Sequence, residues 1–117
     1  MPCEVLAKKD NSLIEFVFWY RGEGRTPLYT LDVRDRTLAT SVHTRNETYA
    51  ERVQFHVANL KVPFLQMSQL KITDTGIYYC RVDYQWSATE VSKVHLTVVG
   101  KFIIFICCAA LTKKALF

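Results

Sequence analysis

Hydrophobic and polar residues alternate with a period of two in several short stretches of this 117-residue chain. Such alternation is typical of β-strands with one buried face, because successive side chains point to opposite faces of a sheet. No stretch shows the 3.6-residue period of an amphipathic helix. About eight short strands separated by turns predict an all-β sandwich. The strand-like stretches are residues 3–7, 13–20, 28–33, 34–45 (two weak edge segments), 52–57, 64–70, 77–84 and 91–99.

Residues 74–80 (DTGIYYC) carry the most specific pattern in the chain, Asp-x-Gly-x-Tyr-x-Cys. Gly76 permits a tight turn into a strand. Tyr78, two residues before the cysteine, fits a tyrosine corner whose hydroxyl bonds back to the preceding backbone. Cys80 would then lie in the core between two sheets. The pattern is typical of strand F of an immunoglobulin variable-type (V-set) sandwich, which is the fold we expect.

Cys3, Trp19 and Cys80 follow the Cys…Trp…Cys order of immunoglobulin domains. That resemblance implies a disulfide between Cys3 and Cys80, which would stabilise the fold by roughly 4–5 kcal/mol through closure of a loop of about 78 residues. It also implies an ion pair between Arg52 and Asp74 across the bottom of the sandwich. The alternatives are a free buried cysteine and a solvated arginine. The predicted core residues are Trp19, Tyr78, Leu65, Met67 and Leu96.

Composition and charge argue against several other functions. The net charge is +4, and the fifteen Lys and Arg residues are scattered rather than gathered on a stripe, so we expect no nucleic-acid partner. His43, His56 and His95 have no companions arranged for catalysis, and no cysteine pair has zinc-ligand spacing. No phosphate-binding glycine-rich loop occurs. We therefore predict a non-enzymatic domain without metal or cofactor, kept in an oxidising compartment.

Both ends of the chain depart from a complete variable-type domain. Only Met1 and Pro2 precede Cys3, where such domains carry about 15–20 residues, and no secretory leader pattern is present. We interpret residues 1–99 as an immunoglobulin V-type domain, truncated at its N-terminus and lacking strand A, encoded by an exon-bounded fragment. The missing strand would leave an unpaired sheet edge. Residues 100–117 form a separate apolar tail.

The tail contains ten consecutive apolar residues, FIIFICCAAL at 102–111. A membrane-crossing helix needs about 17–25, so three interpretations remain open. The tail is the stub of a truncated anchor, with Cys107 and Cys108 as acylation candidates. It is a disordered or loosely helical appendage. Or it is a non-native extension, translated intron sequence, because Gly100-Lys101-Phe102 can be encoded by a splice-donor-like sequence.

The outer face of the sheet formed by strands G, F, C and C′ is the predicted partner-binding surface. If Cys80 and Trp19 point inward, alternation along strand C places Phe16, Phe18 and Tyr20 on the outer face. Strand C′ is expected to add Leu31. Aromatic residues around an arginine are the composition of an interface hot spot. The alternative is that a loop or the opposite sheet covers these rings. The candidate residues are Phe18, Tyr20, Tyr29, Tyr79, Arg81, Asp83, Tyr84, Trp86, Lys93 and His95.

Asn46-Glu47-Thr48 is the one N-x-[ST] sequon in the sequence. It lies in the predicted C″–D edge region, away from the candidate face. We therefore predict Asn46 as a glycosylation site, as suits a secreted domain.

Four segments resemble the first variable-type domain of the arthropod Sidestep family: residues 18–21 (FWYR), 27–34 (PLYTLDVR), 74–84 (DTGIYYCRVDY) and 94–99 (VHLTVV). The Asp-Val-Arg and Cys-Arg-Val-Asp runs are the more specific pieces. The resemblance covers roughly residues 3–99. It implies an extracellular, cell-surface recognition protein whose relatives are transmembrane, carry several immunoglobulin domains and guide axons by binding Beaten-path immunoglobulin proteins. Membrane association would come only from the parent protein or the tail.

We expect this chain to differ from those relatives in having one domain, no strand A, no leader and no full anchor. Two alternatives therefore stay open beside a cell-adhesion module. One is an immune-type recognition receptor, which ligand identity would distinguish. The other is an incomplete fragment without independent function.

Overall fold

The part of the chain that the structure describes contains eight strands, and in the central ones β-branched and aromatic residues alternate between buried and more exposed positions. The structure, a computed structural model, describes residues 1–7, 13–57, 61–99 and the backbone of 102–107. Short 3-10 turns lie at Glu4–Ala7, Leu38–Thr40 and Ile72–Asp74. The strands are β1 Ile14–Arg21, β2 Tyr29–Asp32, β3 Val42–Arg45, β4 Val53–His56, β5 Phe64–Met67, β6 Gly76–Tyr84, β7 Glu90–Val99 and β8 Phe102–Cys107.

The strands form two antiparallel sheets, and the predicted all-β immunoglobulin V-type sandwich is confirmed. The larger sheet has the order β3-β2-β1-β6-β7-β8, and the smaller one pairs β4 with β5. In immunoglobulin terms β1, β2 and β3 are C, C′ and C″, whereas β6 and β7 are F and G. The first residues extend the smaller sheet: Pro2 bridges to Phe64, and Cys3 N–H donates to the Pro63 carbonyl at 2.8 Å.

The core lies between the inner faces of the two sheets and is centred on Trp19, which is fully buried. Phe55 of the smaller sheet packs edge-on against Trp19 and against Tyr29, with ring centres 5.9 Å apart in both pairs. Aromatic rings in this arrangement bind more strongly than their buried area alone indicates. The predicted core residues Tyr78, Leu65 and Leu96 are buried, and Met67 is partly buried against the same cluster.

Residues 3–7 do not form the predicted strand. After the single bridge at Pro2 the chain leaves the sheet in a 3-10 turn over Glu4–Ala7, closed by the Leu6 N–H and the Cys3 carbonyl at 3.1 Å. Cys3 and Val5 are nevertheless both buried. Alternation of apolar and polar residues over so short a stretch therefore does not distinguish a 3-10 turn from a strand.

Two further stretches are shorter than predicted. Residues 34–45 contain one strand, β3, preceded by a 3-10 turn that Thr37 caps through a hydrogen bond from the Thr40 N–H. The stretch 64–70 is extended only to Met67, and Gln69 has a left-handed φ of 52°. Non-glycine residues adopt such a φ mainly in turns, so the strand ends before it.

The apolar tail contributes a strand rather than a helix at residues 102–107. β8 pairs antiparallel with β7, from Val99 opposite Phe102 to Val94 opposite Cys107. The loosely helical interpretation is therefore wrong for these six residues; Cys108 lies outside the described residues, and the origin of the tail stays a prediction. Among the described residues no helix is long and apolar enough to cross a membrane.

Candidate partner-binding face

A disulfide and an aromatic residue fix strand β6, which is central to the candidate face. Cys3 and Cys80 form a disulfide with their Cα atoms 5.6 Å apart, and Cys80 lies opposite Trp19 in the β1–β6 register. The Tyr78 hydroxyl donates a hydrogen bond to the Asp74 carbonyl. Burial raises the pKa of Tyr78 to about 12, because the charged phenolate is poorly solvated there. Tyr78 and Cys80 thus both point into the core, which determines which side chains of β6 face inward and which face outward.

Arg52 and Asp74 form a bidentate ion pair at the base of β6. The Nη2–Oδ1 and Nη1–Oδ2 distances are 2.7 and 3.0 Å, and the two side chains are only 13% and 5% exposed. The Lys71 N–H donates to the same carboxylate at 2.8 Å. A buried carboxylate with several donors is well satisfied. This pair therefore holds the turn that leads into β6 against the start of β4.

Three aromatic rings on β1 form a continuous row on the outer face of the larger sheet. We call Phe16, Phe18 and Tyr20 the aromatic row. The Phe16 and Phe18 ring centres are 5.4 Å apart with nearly parallel planes, and those of Phe18 and Tyr20 are 6.0 Å apart. All three are half-buried, while the intervening Val17 and Trp19 point into the core. The outer face of β1 therefore offers aromatic surface, as the period of two predicts.

Two arginine side chains lie over this row, and each is held by an aspartate two residues away. Arg34, just after β2, binds Asp32 at the end of that strand, whereas Arg81 and Asp83 are both on β6. Arg34 lies 4.8 Å from the Phe16 ring centre and binds Asp32 at 2.9 and 3.1 Å. Arg81 lies 5.7 Å from the Phe18 ring centre and binds Asp83 at 2.9 and 3.3 Å. Guanidinium groups are attracted to aromatic faces and bind carboxylates in this forked way.

The electrostatics of both pairs follow from this geometry. The guanidinium of Arg34 lowers the pKa of Asp32, and the carboxylate of Asp83 raises the pKa of Arg81. Both effects come first from the side-chain hydrogen bonds and favour the charged forms. We call the two pairs the arginine clamps. Arg34 was not among the residues predicted for this face, although its position two residues after Asp32 places both side chains on one side of an extended chain.

Strands β6 and β7 complete the outer face beside the aromatic row. Tyr79 lies between Tyr20 on β1 and Lys93 on β7 in the sheet register, and Ile77 lies opposite His95. Val91 pairs with Arg81 and is 43% exposed. Sequence reasoning missed Val91, although alternation from Lys93 and His95 along β7 places it on the outer face.

Tyr29 is not on the outer face, and this prediction is wrong. It is fully buried, packs against Phe55, and its hydroxyl hydrogen-bonds with His43 Nδ1. Tyr29 lies opposite Trp19 in the β1–β2 register, so both side chains point inward. Leu31 is buried for the same reason. Thr30 and Asp32 take the outward positions, because the phase of β2 is one residue away from the one predicted.

Tyr84 is not in the F–G loop, and its predicted place on the face is wrong. It is the last residue of β6, is 8% exposed, and its hydroxyl donates to the Glu90 carboxylate at 2.8 Å. Tyr84 lies four residues after Cys80, so the period of two already placed it inward. Trp86, by contrast, lies between β6 and β7 with 77% of its surface exposed.

The sequon lies directly after β3. The Asn46 side-chain carbonyl accepts a hydrogen bond from the Thr48 N–H at 3.0 Å, and the Asn46 N–H donates to the Leu28 carbonyl at 3.0 Å. This is an Asx-turn in a surface connection. Glycosylation of Asn46 stays a prediction.

The three histidines occupy separate places. His43 contacts Tyr29, and burial, followed by the charge of Arg45, lowers its pKa. His56 hydrogen-bonds with Gln66 at 2.8 Å and stacks on Phe64. Within the described ranges no group of three or more His, Cys, Asp or Glu side chains is placed to hold a metal ion.

Comparison with known proteins places this sandwich in a family. A comparison with curated proteins gives no match. The family model of the immunoglobulin V-set domain matches residues 1–99, most of the chain and all of β1 to β7. V-set domains are generally recognition modules without enzymatic activity, found outside the cell or at its surface. This chain belongs to the immunoglobulin V-set family.

Proposed function

We propose that this domain is a cell-surface recognition module that binds another immunoglobulin-superfamily protein through the outer face of its larger sheet. The aromatic row beneath the two arginine clamps is the observation that carries the proposal. The solvated face of an antiparallel sheet is ordinarily polar. Tyrosine, arginine and other aromatic residues are instead the ones that dominate binding energy at interfaces.

The order of these side chains before binding supports the same function. An interface side chain that loses rotamer freedom on binding costs about 0.5–1.5 kcal/mol. In this face the arginines are already held by Asp32 and Asp83, and the rings stack on one another. Little further ordering is needed when a partner docks. The side chains of this face are therefore ordered before a partner binds, as suits a recognition surface.

The partner class follows from the sequence resemblance. The Asp-Val-Arg and Arg-Val-Asp runs that resemble the Sidestep family are the same residues that form the clamps. This coincidence of family marker and surface feature favours a cell-adhesion role in axon guidance with a partner of the Beaten-path type. The domain would then act outside the cell, as part of a membrane-associated parent protein.

The test measures binding of the secreted chain to immobilised Beaten-path ectodomains by biolayer interferometry. The Phe18→Lys substitution should weaken binding at least tenfold, equal to about 1.4 kcal/mol. Ile72→Lys is the matched control, because Ile72 is an exposed apolar residue outside the face. Thermal unfolding followed by circular dichroism checks that both variants fold. Unchanged affinity of folded Phe18→Lys would overturn the face, and no binding to any of these ectodomains would overturn the partner class.

A further inference from the structure

A hollow lies at the end of the aromatic row that contains Tyr20. It has a volume of about 410 Å³. Tyr20 and Tyr79, partners across β1 and β6, form one side, and the connection between β1 and β2 forms another. The lining residues are Tyr20, Gly22, Gly24, Arg25, Tyr79, Arg81 and Val91.

Glycines in the connection keep this hollow open. Gly22 has a left-handed φ of +55°, and its N–H donates to the Ile77 carbonyl at 2.7 Å, which anchors the loop to β6. A Cβ atom at Gly24 would come within 3.0 Å of the Arg21 carbonyl oxygen. The loop thus makes a tight turn that larger residues would strain. The space beside Tyr20 is a consequence of this turn.

Two arginines line the hollow, and one of them, Arg81, is already paired with Asp83. Arg25 and Arg81 line it, Lys93 lies opposite Tyr79 on β7, and its lining contains no acidic residue. Arg81 uses Nε and Nη2 to bind Asp83, which leaves Nη1 without a protein partner among the described residues. Arg25 is exposed and forms no ion pair or hydrogen bond within the same part of the chain. Donors are therefore available here without a matching acceptor.

We propose that this hollow receives an aspartate or glutamate side chain of the protein partner, bound between Arg25 and Arg81. The inference rests on the proposed function, since the hollow is part of the same face. The guanidinium of Arg25 can bind a carboxylate in a forked, charge-assisted geometry, Arg81 adds its Nη1 donor, and Tyr20 and Tyr79 form one side of the hollow. An apolar anchor would instead cover Arg25 without giving it a counter-charge, which is costly. Charge complementarity thus selects an acidic group.

The test selects binders from a phage-displayed library of random dodecapeptides on the intact, immobilised chain. Selected peptides that compete with one another for the chain are taken to share one site. Each of these peptides is synthesised in pairs, in which one acidic position is either Glu or Gln. We expect an acidic residue whose Glu-to-Gln change weakens binding at least tenfold, and an equal loss with Arg25→Gln. Arg36→Gln is the matched control, because it removes the same charge at an exposed arginine outside the hollow.

The outcomes separate this inference from the proposed function. Peptides that lose binding to Phe18→Lys but retain it to Arg25→Gln would overturn the acidic anchor and leave the face in place. Peptides that depend on Arg25 and bind Phe18→Lys unchanged would support the hollow while removing the larger face. Selection that yields no acidic peptide dependent on Arg25, or equal losses with Arg25→Gln and Arg36→Gln, would overturn the inference.

Discussion

The guanidinium of Arg81 lies 5.7 Å from the centre of the Phe18 ring while Asp83 binds its Nε at 2.9 Å. The aspartate is therefore what keeps the cation over the ring rather than extended into solvent. Thr89 in turn donates its hydroxyl to the same carboxylate at 3.0 Å. The position of one arginine on the binding face is thus determined by two neighbours that need not touch a partner themselves.

Replacing Asp83 by Asn should loosen Arg81 without unfolding the domain. The Asp83→Asn variant keeps the shape of the side chain but removes the charge that holds the guanidinium. We expect the Arg81 Nε–H signal in ¹H–¹⁵N NMR to move towards its free-arginine position, and partner affinity to fall about three- to tenfold, chiefly through faster dissociation. Asp35→Asn serves as the control, since Asp35 is exposed with a left-handed φ that Asn also tolerates. An unmoved Arg81 signal would contradict the clamp.

Loss of the Arg52–Asp74 ion pair should destabilise the fold strongly. In Asp74→Ala the arginine stays buried without its counter-ion, and breaking a buried pair in this way costs about 3–5 kcal/mol. Urea denaturation measures the free energy of unfolding directly. Asp32→Ala is the comparison, because its pair with Arg34 is solvent-exposed and should matter far less. Equal losses in the two variants would refute the special role of the pair at the base of β6.

The Tyr78 hydroxyl should contribute stability that disappears in alkaline solution. Its pKa is about 12 in the folded chain against about 10 in the unfolded chain, so unfolding favours the charged form. This contribution is complete below pH 10 and is lost as the pH rises from about 10 to about 12.

Tyr78→Phe therefore makes two measurable changes. It leaves the Asp74 carbonyl without its donor, which should cost about 1–3 kcal/mol at neutral pH. It should also reduce the decline of unfolding free energy between pH 9.5 and 11, measured by urea titration. A variant that retains the full alkaline slope of the unchanged protein would show that another group causes it.

His43 should make the domain less stable in weak acid. Burial lowers the folded-state pKa of His43 below its unfolded value of about 6.5, so the unfolded chain binds a proton more readily. The contribution is complete above pH 6.5 and is lost as the pH falls through the folded pKa. His43→Gln keeps a side chain able to hydrogen-bond with the Tyr29 hydroxyl and should flatten the slope of unfolding free energy between pH 7 and pH 5. An unchanged slope would contradict this assignment.

The sequence predicts the centre of the larger sheet well and its margins poorly. Cys80 and Trp19 are residue types that this fold buries, so they determine which side chains of β6 and β1 point inward. Tyr79, Arg81 and Phe18 are therefore correctly predicted on the outer face. Strand β2 has no such residue. Its phase depends on its pairing with β1, which places Tyr29 opposite Trp19, and pairing is not visible along a single strand.

The remaining differences have equally local causes. Glu4–Ala7 has the burial pattern of a strand but closes into a 3-10 turn through one backbone hydrogen bond. β8 pairs with β7 because the open edge of β7 offers backbone groups to an extended neighbour, whereas the sequence suggested an anchor stub, a disordered or loosely helical appendage, or a non-native extension. The hollow beside Tyr20 depends on how a loop with two glycines folds back, which no periodic pattern records.

Each arginine clamp joins two residues that are separated by one buried valine, in the tripeptides Asp32-Val33-Arg34 and Arg81-Val82-Asp83. The valine points into the core, so the two charged side chains emerge together on the opposite face. The tripeptide sequence by itself therefore determines the outward orientation of the two charged side chains and their pairing. It could be grafted onto the sheet of an unrelated sandwich, wherever one alternate position is already buried, and would bring a pre-positioned arginine with it.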